Sequence, residues 1–331
     1  MTATPRFQAF RIRNDADGGY RSGIEQLTLD DLSHGEIVIK SAYSSVNYKD
    51  ALAGTGQGKI LRQFPLNGGI DVAGVVVESS DQNFKPGDEV LSTGCGLSET
   101  RDGGYSEYAR LESKWAVKIP AGLSLRESMI LGTAGFTAAL ALYRMLQNSQ
   151  TPELGPIAVT GATGGVGMLA IDIFTRAGFD VHAFSGKPEH ADFLKSLGAK
   201  QVLPREAALT NKPMDSARFG GALDNVGGTT LTGLLAQTAP YGNVASAGLV
   251  ASHELPTTVM PFIIRGVSLL GIASAGTARD IRDAIWQKLA GDWKPAYLPA
   301  IATREISMLE LPQVFAAMLA GGSFGRTIVK L

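Results

Sequence analysis

A glycine-rich segment at residues 159–167 has the composition and spacing of a phosphate-binding turn. It reads VTGATGGVG, follows an apolar run that is typical of a strand, and opens a helix-forming stretch. Against the pattern G-x-G-x-x-G it places Ala162, Gly164 and Gly167 at the key positions. Gly164 would let backbone approach a pyrophosphate, Gly167 would let the helix pack close to the strand, and the first helical N–H groups would bind phosphates. A plain strand–turn–helix connection is the alternative, which the alternation of elements downstream disfavours.

The same segment also fits T-G-x-x-x-G-x-G, with its first glycine at Gly161. That second pattern resembles short-chain dehydrogenases, which carry it near the chain start and use a Tyr-x-x-x-Lys pair further on. Here the two later tyrosines, Tyr241 and Tyr297, are not followed by a lysine four residues on. The short-chain assignment therefore fails.

The residues roughly 20 positions past the glycines indicate which nicotinamide cofactor fits. Enzymes that use NAD end this second strand with Asp or Glu, which binds the ribose 2′-hydroxyl. This chain has Ser185, Gly186 and Lys187 there, and its next carboxylate is Glu189. A hydroxyl, a small residue and an ammonium suit a 2′-phosphate, so the sequence predicts NADPH; a polar helix cap with a solvated lysine is the alternative. Arg205 follows the next strand, and we place it near the adenine face or the same phosphate.

The composition of the chain excludes several classes of protein. The chain has 331 residues, with 30 Lys and Arg against 31 Asp and Glu, for a net charge of -1. This balance argues against a nucleic-acid partner and gives no support for a polybasic membrane anchor. The single cysteine, Cys95, excludes an intrachain disulfide and the common cysteine zinc sites. No apolar run reaches the roughly 18 residues of a membrane span, and residues 1–19 show no signal-peptide core, so we expect a cytoplasmic protein.

Two kinds of segment surround the glycine-rich turn. The first third has short β-branched runs and glycine turns, which indicate a compact β-rich domain. After a long helix predicted from Ser124 to Leu146, strands and helices alternate, which implies right-handed βαβ units and a doubly wound parallel sheet. The tail returns to mixed character. We therefore predict an α/β fold, with the nucleotide-binding domain at residues 125–272 and a β-rich domain at residues 1–124 and 273–331.

A series of motifs runs along nearly the whole chain. They are SSVNYKDAL, FPLNGGIDVAG, KPGDEV, DGGYSEYA, GTAGFTAAL, VTGATGGVG, SGK, LKSLGA, LPTTVMPFIIRGVSLLG and GRTIVKL. In this order they resemble the medium-chain dehydrogenase/reductase family, and within it the zinc-free branch of quinone oxidoreductases and acrylyl-CoA reductases. The resemblance implies a Rossmann doubly wound parallel sheet, a GroES-like catalytic domain, and a cleft between the two that holds nicotinamide and substrate.

The resemblance also bears on metals. Zinc-dependent relatives place a Cys in the segment matching VNY and a His in the segment matching GGIDVAG, where this chain has Asn47-Tyr48 and Ile70-Asp71. The four-Cys structural lobe is absent, and none of the four histidines lies in these motifs. The resemblance therefore implies an enzyme without metal, in which Lewis-acid activation is not expected.

Without zinc, an alkoxide has no strong stabiliser, so reduction of an activated alkene is the easier reaction. Hydride goes from nicotinamide C4 to the β-carbon of an α,β-unsaturated carbonyl, donors stabilise the oxygen, and a side chain or water protonates the α-carbon. The resemblance places Tyr48 beside the nicotinamide, where its hydroxyl binds cofactor, donates a proton, or both; a positioning role alone is the alternative. Asn47 is the second catalytic candidate, with an Asx turn as the alternative.

The full set of predicted cofactor contacts follows from these motifs. They are Tyr48, Thr163, Gly164, Gly165, Val166, Ser185, Gly186, Lys187, Arg205, Asn225, Leu249 and Arg326. Other charged and reactive residues are given structural roles. We interpret Lys49-Asp50 as an ion pair at a helix start and Cys95 as a packing residue. Lys59 and Arg62 are interpreted as a solvated loop rather than contacts to a CoA phosphate.

The preferred function is reduction of a short enoyl-CoA such as acrylyl-CoA by NADPH, independently of zinc. The alternatives are a quinone or enone oxidoreductase that uses NADPH and, in another class, a non-catalytic NADPH-binding sensor. Close acrylyl-CoA reductases tend to have a Trp in the segment written here TGCGLSE, and Asp-Ser-Val where this chain has Ala273-Ser274-Ala275. Both departures lie near the expected substrate cleft, so they bear on the acyl-CoA assignment and not on the cofactor.

The apolar segment Val267–Ile272 predicts how the protein assembles. As the last strand of the nucleotide-binding domain it would lie at the sheet edge, and an exposed apolar edge promotes association unless it is paired. Relatives of this kind pair it with the same strand of a second subunit across a twofold axis, so we predict a homodimer. An edge covered by the chain's own tail is the alternative.

Overall fold

The computed structural model describes residues 6–14 and 19–331. Residues 1–5, for which the sequence predicts no signal-peptide core, lie outside the described residues. The strands are β1 Phe7–Asn14, β2 Tyr20–Leu27, β3 Ile37–Ser45, β4 Leu66–Asn67, β5 Asp71–Ser79, β6 Glu89–Thr93, β7 Tyr108–Leu111, β8 Val117–Lys118, β9 Ile157–Val159, β10 Val181–Ser185, β11 Ala199–Pro204, β12 Phe219–Asp224, β13 Thr238–Ser246, β14 Ser268–Gly271, β15 Arg304–Ile306 and β16 Thr327–Lys330. The α-helices are α1 Tyr48–Thr55, α2 Leu125–Gln147, α3 Gly165–Arg176, α4 Ala191–Ser196, α5 Gly228–Gln237, α6 Met260–Arg265, α7 Arg279–Ala290, α8 Leu298–Ile301 and α9 Leu311–Leu319.

The chain divides into two compact units. The first comprises the described residues through Thr133 together with Ala275–Trp286 and Leu298–Leu331, and the second comprises Ala134–Ser274 and Gln287–Tyr297. The domain boundaries that the sequence predicts, near residues 125 and 272, stay a prediction. The observed units divide after Thr133 and after Ser274, and Gln287–Tyr297, which the prediction assigns to the β-rich domain, belongs to the second unit.

The first unit contains two sheets. One is a three-stranded antiparallel sheet in the order β2-β1-β4, and the other is a mixed sheet in the order β15-β16-β3-β5-β6-β8 with β7 also paired to β3. Alternate apolar residues of β3 and β5, such as Ile37, Ile39 and Val72, are fully buried and form one core of this unit. This is the β-rich domain that the first third of the sequence predicts.

The second unit is built on a parallel sheet. Its six strands run in the order β11-β10-β9-β12-β13-β14, and every pairing is parallel. The strand β9 is fully buried, as its short apolar run IAV predicts, and α3 buries a continuous apolar stretch from Met168 to Ile171. Because the order reverses between β9 and β12, the sheet has the doubly wound topology, with a crevice at the carboxyl ends of the strands.

Helix α2 departs from the prediction of a continuous helix. Ser124 caps it as predicted, with reciprocal hydrogen bonds between Ser124 and Glu127. At Gly132, however, the backbone adopts φ 48° and ψ -154°, which breaks the helix after two turns. The sequence around this glycine is apolar, and the glycine is the one local signal of the break. Helix α2 also has the length and mean hydropathy (1.4) of a membrane span, but 78% of that window is buried inside the protein, which is typical of a core helix.

Candidate functional site

Most predicted cofactor-binding residues meet at one edge of the parallel sheet. Thr163 follows β9, Ser185 ends β10, Arg205 follows β11, Asn225 follows β12 and Leu249 follows β13. Because the carboxyl ends of parallel strands lie at the same edge, the topology gathers these residues along the crevice beside the switch point. The structure therefore brings together the predicted residues of the second unit.

The glycine-rich turn has the steric features of a phosphate-binding loop. A Cβ on Gly167 would lie 2.4 Å from the Gly161 carbonyl oxygen and 2.7 Å from Ala162 Cα, so only glycine lets α3 pack this close to the turn. Helix α3 begins at Gly165, and among the described residues no side chain caps its first N–H groups. These N–H groups carry the positive end of the helix dipole and suit an anion such as a pyrophosphate.

The end of β10 presents a hydroxyl, a glycine and two cationic side chains. The Ser185 hydroxyl accepts a hydrogen bond from the backbone N–H of Lys187 at 2.9 Å, which shapes the turn. A Cβ on Gly186 would lie 3.2 Å from Arg205 Cζ, so the guanidinium lies directly over this glycine. Arg205 also pairs with Glu206 at 3.1 Å on the exposed surface. The place where NAD enzymes hold a carboxylate is thus next to the guanidinium of Arg205, which follows the neighbouring strand β11.

A small polar network fixes the other side of the switch point. The buried Asp224 carboxylate accepts a hydrogen bond from Thr160 Oγ1 at 2.7 Å and from the Gly227 N–H at 2.7 Å. Asn225 donates through its N–H to Thr160 Oγ1 and through Nδ2 to the Thr160 carbonyl, at 2.9 and 2.8 Å. These contacts tie the end of β12 to the start of the glycine-rich turn and place Asn225 within the crevice.

A cavity of about 380 Å³ opens at the carboxyl ends of β12, β13 and β14. Its lining includes Gly227, Ser246, Leu249, His253 and Leu269. Leu249, a predicted cofactor contact, is 64% exposed. The cavity is mostly apolar along Leu231, Leu249 and Leu269, which suits a ring or an acyl group more than a phosphate.

The predicted catalytic residues begin helix α1 in the first unit. Asn47 is the N-cap, and Tyr48 is the first helical residue with 40% of its surface exposed. The backbone N–H of Asn47 donates to Asp50 Oδ2 at 2.8 Å, which is half of a capping box. The Asn47 side-chain oxygen accepts from Arg326 Nη1 at 3.1 Å, so the alternative of an Asx turn stays a prediction. The Asn47 side chain also donates through Nδ2 to Asp71 Oδ2 at 2.8 Å and to Asp50 Oδ2 at 3.1 Å.

Behind Asn47 lies a buried group of polar side chains, which we name the Asp71 cluster. It consists of Ser45, Asn47, Asp50, Asp71, Thr133 and Arg326. The Asp71 carboxylate, fully buried, accepts from Thr133 Oγ1 at Oδ1 (2.6 Å), and at Oδ2 from Ser45 Oγ (2.6 Å) and the Thr133 N–H (3.0 Å). Its charge is balanced by the Arg326 guanidinium, whose Nη2 lies 3.8 Å from Oδ2.

Arg326 is 3% exposed and bonds entirely to protein oxygens in this structure. Nε donates to the Ile130 carbonyl at 2.9 Å, and Nη1 donates to the Val46 carbonyl and Asn47 Oδ1 at 3.0 and 3.1 Å. Nη2 donates to Ser45 Oγ at 2.7 Å and to the Met129 carbonyl at 3.5 Å. Five acceptors thus face the five N–H donors of this side chain. The sequence prediction that Arg326 contacts the cofactor stays a prediction.

A second carboxylate of the cluster has an unusual environment. Asp50 accepts hydrogen bonds from the Ile70 N–H and from Asn47, yet burial and, secondly, the nearby Asp71 charge raise the pKa of Asp50 to about 7. The Tyr105 hydroxyl lies beside this pair and donates to the Ser45 carbonyl at 3.1 Å, and burial raises the pKa of Tyr105. The cluster therefore holds one ion pair and one carboxyl group whose pKa is close to neutral pH.

The interpretation of Lys49 and Asp50 as an ion pair is wrong. Lys49 Nζ instead pairs with Glu99 at 2.6 Å, and Glu99 also pairs with Arg62 at 3.2 Å. The position of the two residues in α1 explains this difference. The side chain of Asp50, the third residue of α1, accepts a hydrogen bond from the N–H of the N-cap residue Asn47, whereas Lys49 points outward. Arg62 is 72% exposed, in line with the solvated loop. Cys95 is buried, its thiol donates to the Thr93 carbonyl, and burial raises the pKa of Cys95, as suits a packing residue.

Comparison with known proteins identifies the family. Residues 33–121 match the alcohol dehydrogenase GroES-like domain, and residues 165–290 match the zinc-binding dehydrogenase domain. The chain is 46% identical over 327 residues to YhfP of Bacillus subtilis, named as a quinone oxidoreductase, covering 98% of this chain and 99% of that protein. It is 40% identical over 326 residues to the acrylyl-CoA reductase AcuI of Ruegeria pomeroyi, covering 98% of each. The chain belongs to the medium-chain dehydrogenase/reductase family.

Solved structures agree with this membership. The yhdH oxidoreductase of Salmonella enterica in complex with NADP has a TM-score of 0.94 and 42% identity, over 98% of this chain and 99% of that one. The structure of Bacillus subtilis yhfP with NAD bound has a TM-score of 0.95 and 45% identity, over 99% and 100%. As a medium-chain dehydrogenase/reductase the chain is an oxidoreductase, with the α/β fold and the GroES-like domain that the motifs imply.

The matched domain is described as zinc-binding, which makes the residues at the zinc-ligand segments of this chain informative. In the two segments where zinc-dependent family members carry Cys and His, this chain has Asn47-Tyr48 and Ile70-Asp71, and Ile70 is buried. The adjacent Asp71 is saturated by hydrogen-bond donors and lies beside a guanidinium, which repels a cation. Within residues 6–14 and 19–331, no group of three or more His, Cys, Asp or Glu could hold a metal ion. The donor set does not fit zinc.

Sequence reasoning missed part of this site. It selected Asn47 and Tyr48 but gave no role to Thr133 or Ser45, and it used Asp71 only as a mark of absent zinc. Gly132 was the available signal, since a glycine inside an apolar helical segment often has a packing reason. A Cβ there would lie 2.6 Å from Asp71 Oδ2 and 2.8 Å from Arg326 Nη2.

Proposed function

We propose that this protein is a zinc-independent, NADPH-dependent reductase that transfers a hydride to the activated C=C bond of a short enoyl-CoA such as acrylyl-CoA. The observation that carries the cofactor assignment is the turn after β10, where Ser185, Gly186 and Lys187 lie with the Arg205 guanidinium and no carboxylate occupies the NAD position. The similarity to AcuI supports the substrate class.

The residues of the second unit have separate roles in holding NADPH. The first N–H groups of α3, together with Thr163, Gly164, Gly165 and Val166, bind the pyrophosphate. Ser185, Gly186, Lys187 and Arg205 bind the 2′-phosphate, whose two negative charges match the two cations. Asn225 and Leu249 lie further along the crevice, toward the nicotinamide. The NADP complex of the Salmonella relative supports this assignment, and the NAD complex of yhfP makes NADH the competing cofactor to test.

Bound NADPH supplies the hydride, and the chain supplies orientation and a proton. Tyr48 is the proposed hydrogen-bond donor at the reacting centre, because it is half-exposed at the start of α1 and its hydroxyl can donate to a developing enolate oxygen. A proton then reaches the α-carbon from Tyr48 or from water. Asn47 serves this reaction by capping α1, since its side chain is held by Asp50 and Asp71.

Zinc independence follows from the same chemistry. Hydrogen bonds can stabilise the enolate that forms when an unsaturated thioester accepts a hydride. An alkoxide, which forms when an alcohol loses its proton, needs a stronger electrophile such as a metal ion. We expect treatment with a chelator to leave turnover unchanged and elemental analysis to find no stoichiometric zinc. One zinc per chain that copurifies, with activity lost on its removal, would contradict this part of the proposal.

A quinone or enone reductase is the second candidate. Two observations favour it: the higher identity to YhfP, and the absence of the Trp and Asp-Ser-Val segments that close acrylyl-CoA reductases tend to have. The apolar cavity near Leu249 and Leu269 accommodates a small ring as readily as an acyl group. Both candidates use the same cofactor and the same hydride chemistry.

The proposal includes a homodimer in the cytoplasm, with no nucleic-acid or membrane partner. Strand β14 is the terminal strand of the parallel sheet, as the segment Val267–Ile272 predicts, and Leu269 on it is 36% exposed. The preceding helix α6 exposes Ile263 and Ile264 by 74% and 58%. An unpaired apolar edge next to such a helix favours pairing with a second copy.

A substrate panel tests the proposed function. NADPH oxidation is followed at 340 nm with acrylyl-CoA, crotonyl-CoA, a small quinone, a small enone, and no acceptor. The proposal expects the largest kcat/KM with acrylyl-CoA. A larger value with the quinone and no turnover of the acyl-CoA would establish the second candidate. Tight NADPH binding without turnover of any acceptor would favour the sensor alternative.

A further inference from the structure

Asp71 is placed to act on other residues rather than on a ligand. Its carboxylate is 0% exposed and takes four hydrogen bonds from Ser45, Asn47 and Thr133. A carboxylate buried in this way is closed to a substrate, and its burial costs free energy that the donors and Arg326 offset. Any effect of Asp71 on catalysis must therefore pass through the groups that it holds.

The break in α2 makes some of these groups available to the cluster. A continuous helix would bond the Thr133 N–H to the Met129 carbonyl. Here that N–H donates to Asp71 Oδ2 instead, and the freed carbonyls of Met129 and Ile130 accept from Arg326. The non-helical conformation of Gly132 thus redirects one donor and two acceptors into the Asp71 cluster.

The cluster extends to the start of α1, where Asn47 is partly buried and Tyr48 is exposed. Asn47 is held through both atoms of its amide, with Nδ2 on Asp71 and Asp50 and Oδ1 on Arg326. The Asn47 carbonyl in turn accepts the N–H groups of Asp50 and Ala51, at 3.0 and 3.2 Å. Tyr48 lies inside this turn, so its backbone has little freedom and only its side chain faces outward.

We infer that Asp71 is a positioning residue that fixes Tyr48 through Asn47, with Thr133 as its main support. This inference rests on the proposed role of Tyr48 in the reaction. Displacement of a reacting group by about 1 Å can lower a rate by up to about 100-fold, so loosening the first turn of α1 lowers kcat even though no contact to the substrate is removed.

A double-mutant cycle tests the inference. Asp71→Asn keeps the shape of the side chain and removes its charge, and Thr133→Val removes one hydroxyl donor and provides a milder variant that folds if the first does not. Each is made in the wild-type and in the Tyr48→Phe background, and kcat is measured at saturating NADPH. In the otherwise wild-type protein we expect both variants to lower kcat, and Asp71→Asn to lower it by about tenfold. In the Tyr48→Phe background we expect each variant to lower kcat by less than about twofold. Arg304→Lys, an exposed arginine of the same unit, is the matched control and leaves kcat unchanged.

Two further readouts separate positioning from other roles. Hydrogen exchange of the Asp50 and Ala51 amides should be faster in both Asp71→Asn and Thr133→Val, because these amides report the first turn of α1. The Kd for NADPH, measured by fluorescence titration, should stay within about twofold of the wild type. Unchanged exchange, or a large rise in Kd with kcat unaffected, would overturn the inference in favour of a direct cofactor role.

The outcomes distinguish this inference from the proposed function. If Tyr48→Phe abolishes most activity and the Asp71→Asn loss is equally large in that background, the positioning inference is wrong and the role of Tyr48 stands. If Tyr48→Phe is as active as the wild type, the proposed role of Tyr48 is wrong, and the inference falls with it.

Discussion

The carboxylate of Asp71 lies where a side chain on Gly132 would have to be. An ideal Cβ at Gly132 would be 2.6 Å from Asp71 Oδ2, a distance that real Cβ contacts do not reach. The same glycine has φ 48° and ψ -154°, a conformation that is essentially restricted to glycine. The helix break and the buried carboxylate therefore require each other, and both require the smallest residue at this position.

Gly132→Ala should lower the free energy of unfolding by about 3 kcal/mol or more, because it combines backbone strain with a clash in a packed polar cluster. Gly87→Ala is the matched control. Gly87 also has a positive φ, 94°, but no atom lies within 4 Å of its added Cβ, so it measures the strain alone, about 1–2 kcal/mol. Urea unfolding followed by circular dichroism gives both values. An equal loss of unfolding free energy in the two variants would show that the added methyl group at Gly132 does not clash with the Asp71 cluster.

The raised pKa of Asp50 predicts how stability changes with pH. The pKa is about 7 in the folded protein against an ordinary value of 3.8, so between these values the folded state binds more protons than the unfolded state. The contribution of Asp50 to stability therefore declines as pH rises from about 4 to about 7, by about 1.4 kcal/mol for each pKa unit of difference. Asp50→Asn cannot ionise and lacks this decline.

Urea unfolding of both proteins between pH 4.5 and pH 8 checks this prediction. The difference in unfolding free energy, wild type minus Asp50→Asn, should fall as pH rises and become constant above the folded pKa. Should the difference stay the same at every pH, Asp50 would ionise in the folded protein much as it does in an unfolded chain.

Lys187→Ala should discriminate between the two nicotinamide cofactors. A charge-assisted contact to the 2′-phosphate contributes about 1.5–3 kcal/mol, so the variant should raise the KM for NADPH roughly tenfold to a hundredfold. The KM for NADH should change little, because NADH has no 2′-phosphate. Lys200→Ala, which removes an exposed lysine paired with Asp180, is the control and should alter neither constant. An equal loss for both cofactors, or a wild-type preference for NADH, would exclude the 2′-phosphate site.

Leu269→Lys should convert the protein from a dimer to a monomer. The substitution places a charge in the middle of the terminal strand β14, where pairing with a second copy is proposed. Leu209→Lys, at a site that is 48% exposed and away from this strand, should leave the assembly unchanged. Light scattering at micromolar concentration measures the mass in each case. A monomeric wild type would mean that the chain covers this edge itself.

The nucleotide-binding half of the fold was predictable because its signals are local. The glycines at 161–167, the short apolar strands and the capped helices each specify their own element, and alternation then dictates a parallel sheet. The predicted edge position of β14 and the steric need for Gly167 follow from the same local rules. Because the strands are parallel, their carboxyl ends lie at the same edge of the sheet, and most of the predicted cofactor contacts therefore lie along one crevice.

The Asp71 cluster could not be predicted, because its members are far apart in sequence. Asp71, Thr133 and Arg326 come from three separate segments, and only the tertiary fold brings them together. The long apolar stretch on both sides of Gly132 predicts a continuous helix, and tertiary contacts override that pattern. The ion pair proposed for Lys49 and Asp50 failed for the same reason, since Glu99 is a distant partner that adjacent spacing does not reveal.

The most direct test of the proposed reaction follows the hydride itself. The protein is incubated with acrylyl-CoA and NADPH that carries deuterium at C4 of the nicotinamide, with each of the two stereoisomers in turn. Mass spectrometry and NMR then locate the label in the acyl product. The account predicts that one stereoisomer gives propionyl-CoA with a single deuterium on the β-carbon, and that added chelator changes neither rate nor labelling. No consumption of NADPH with acrylyl-CoA, or a product without deuterium at that carbon from either stereoisomer, would contradict it.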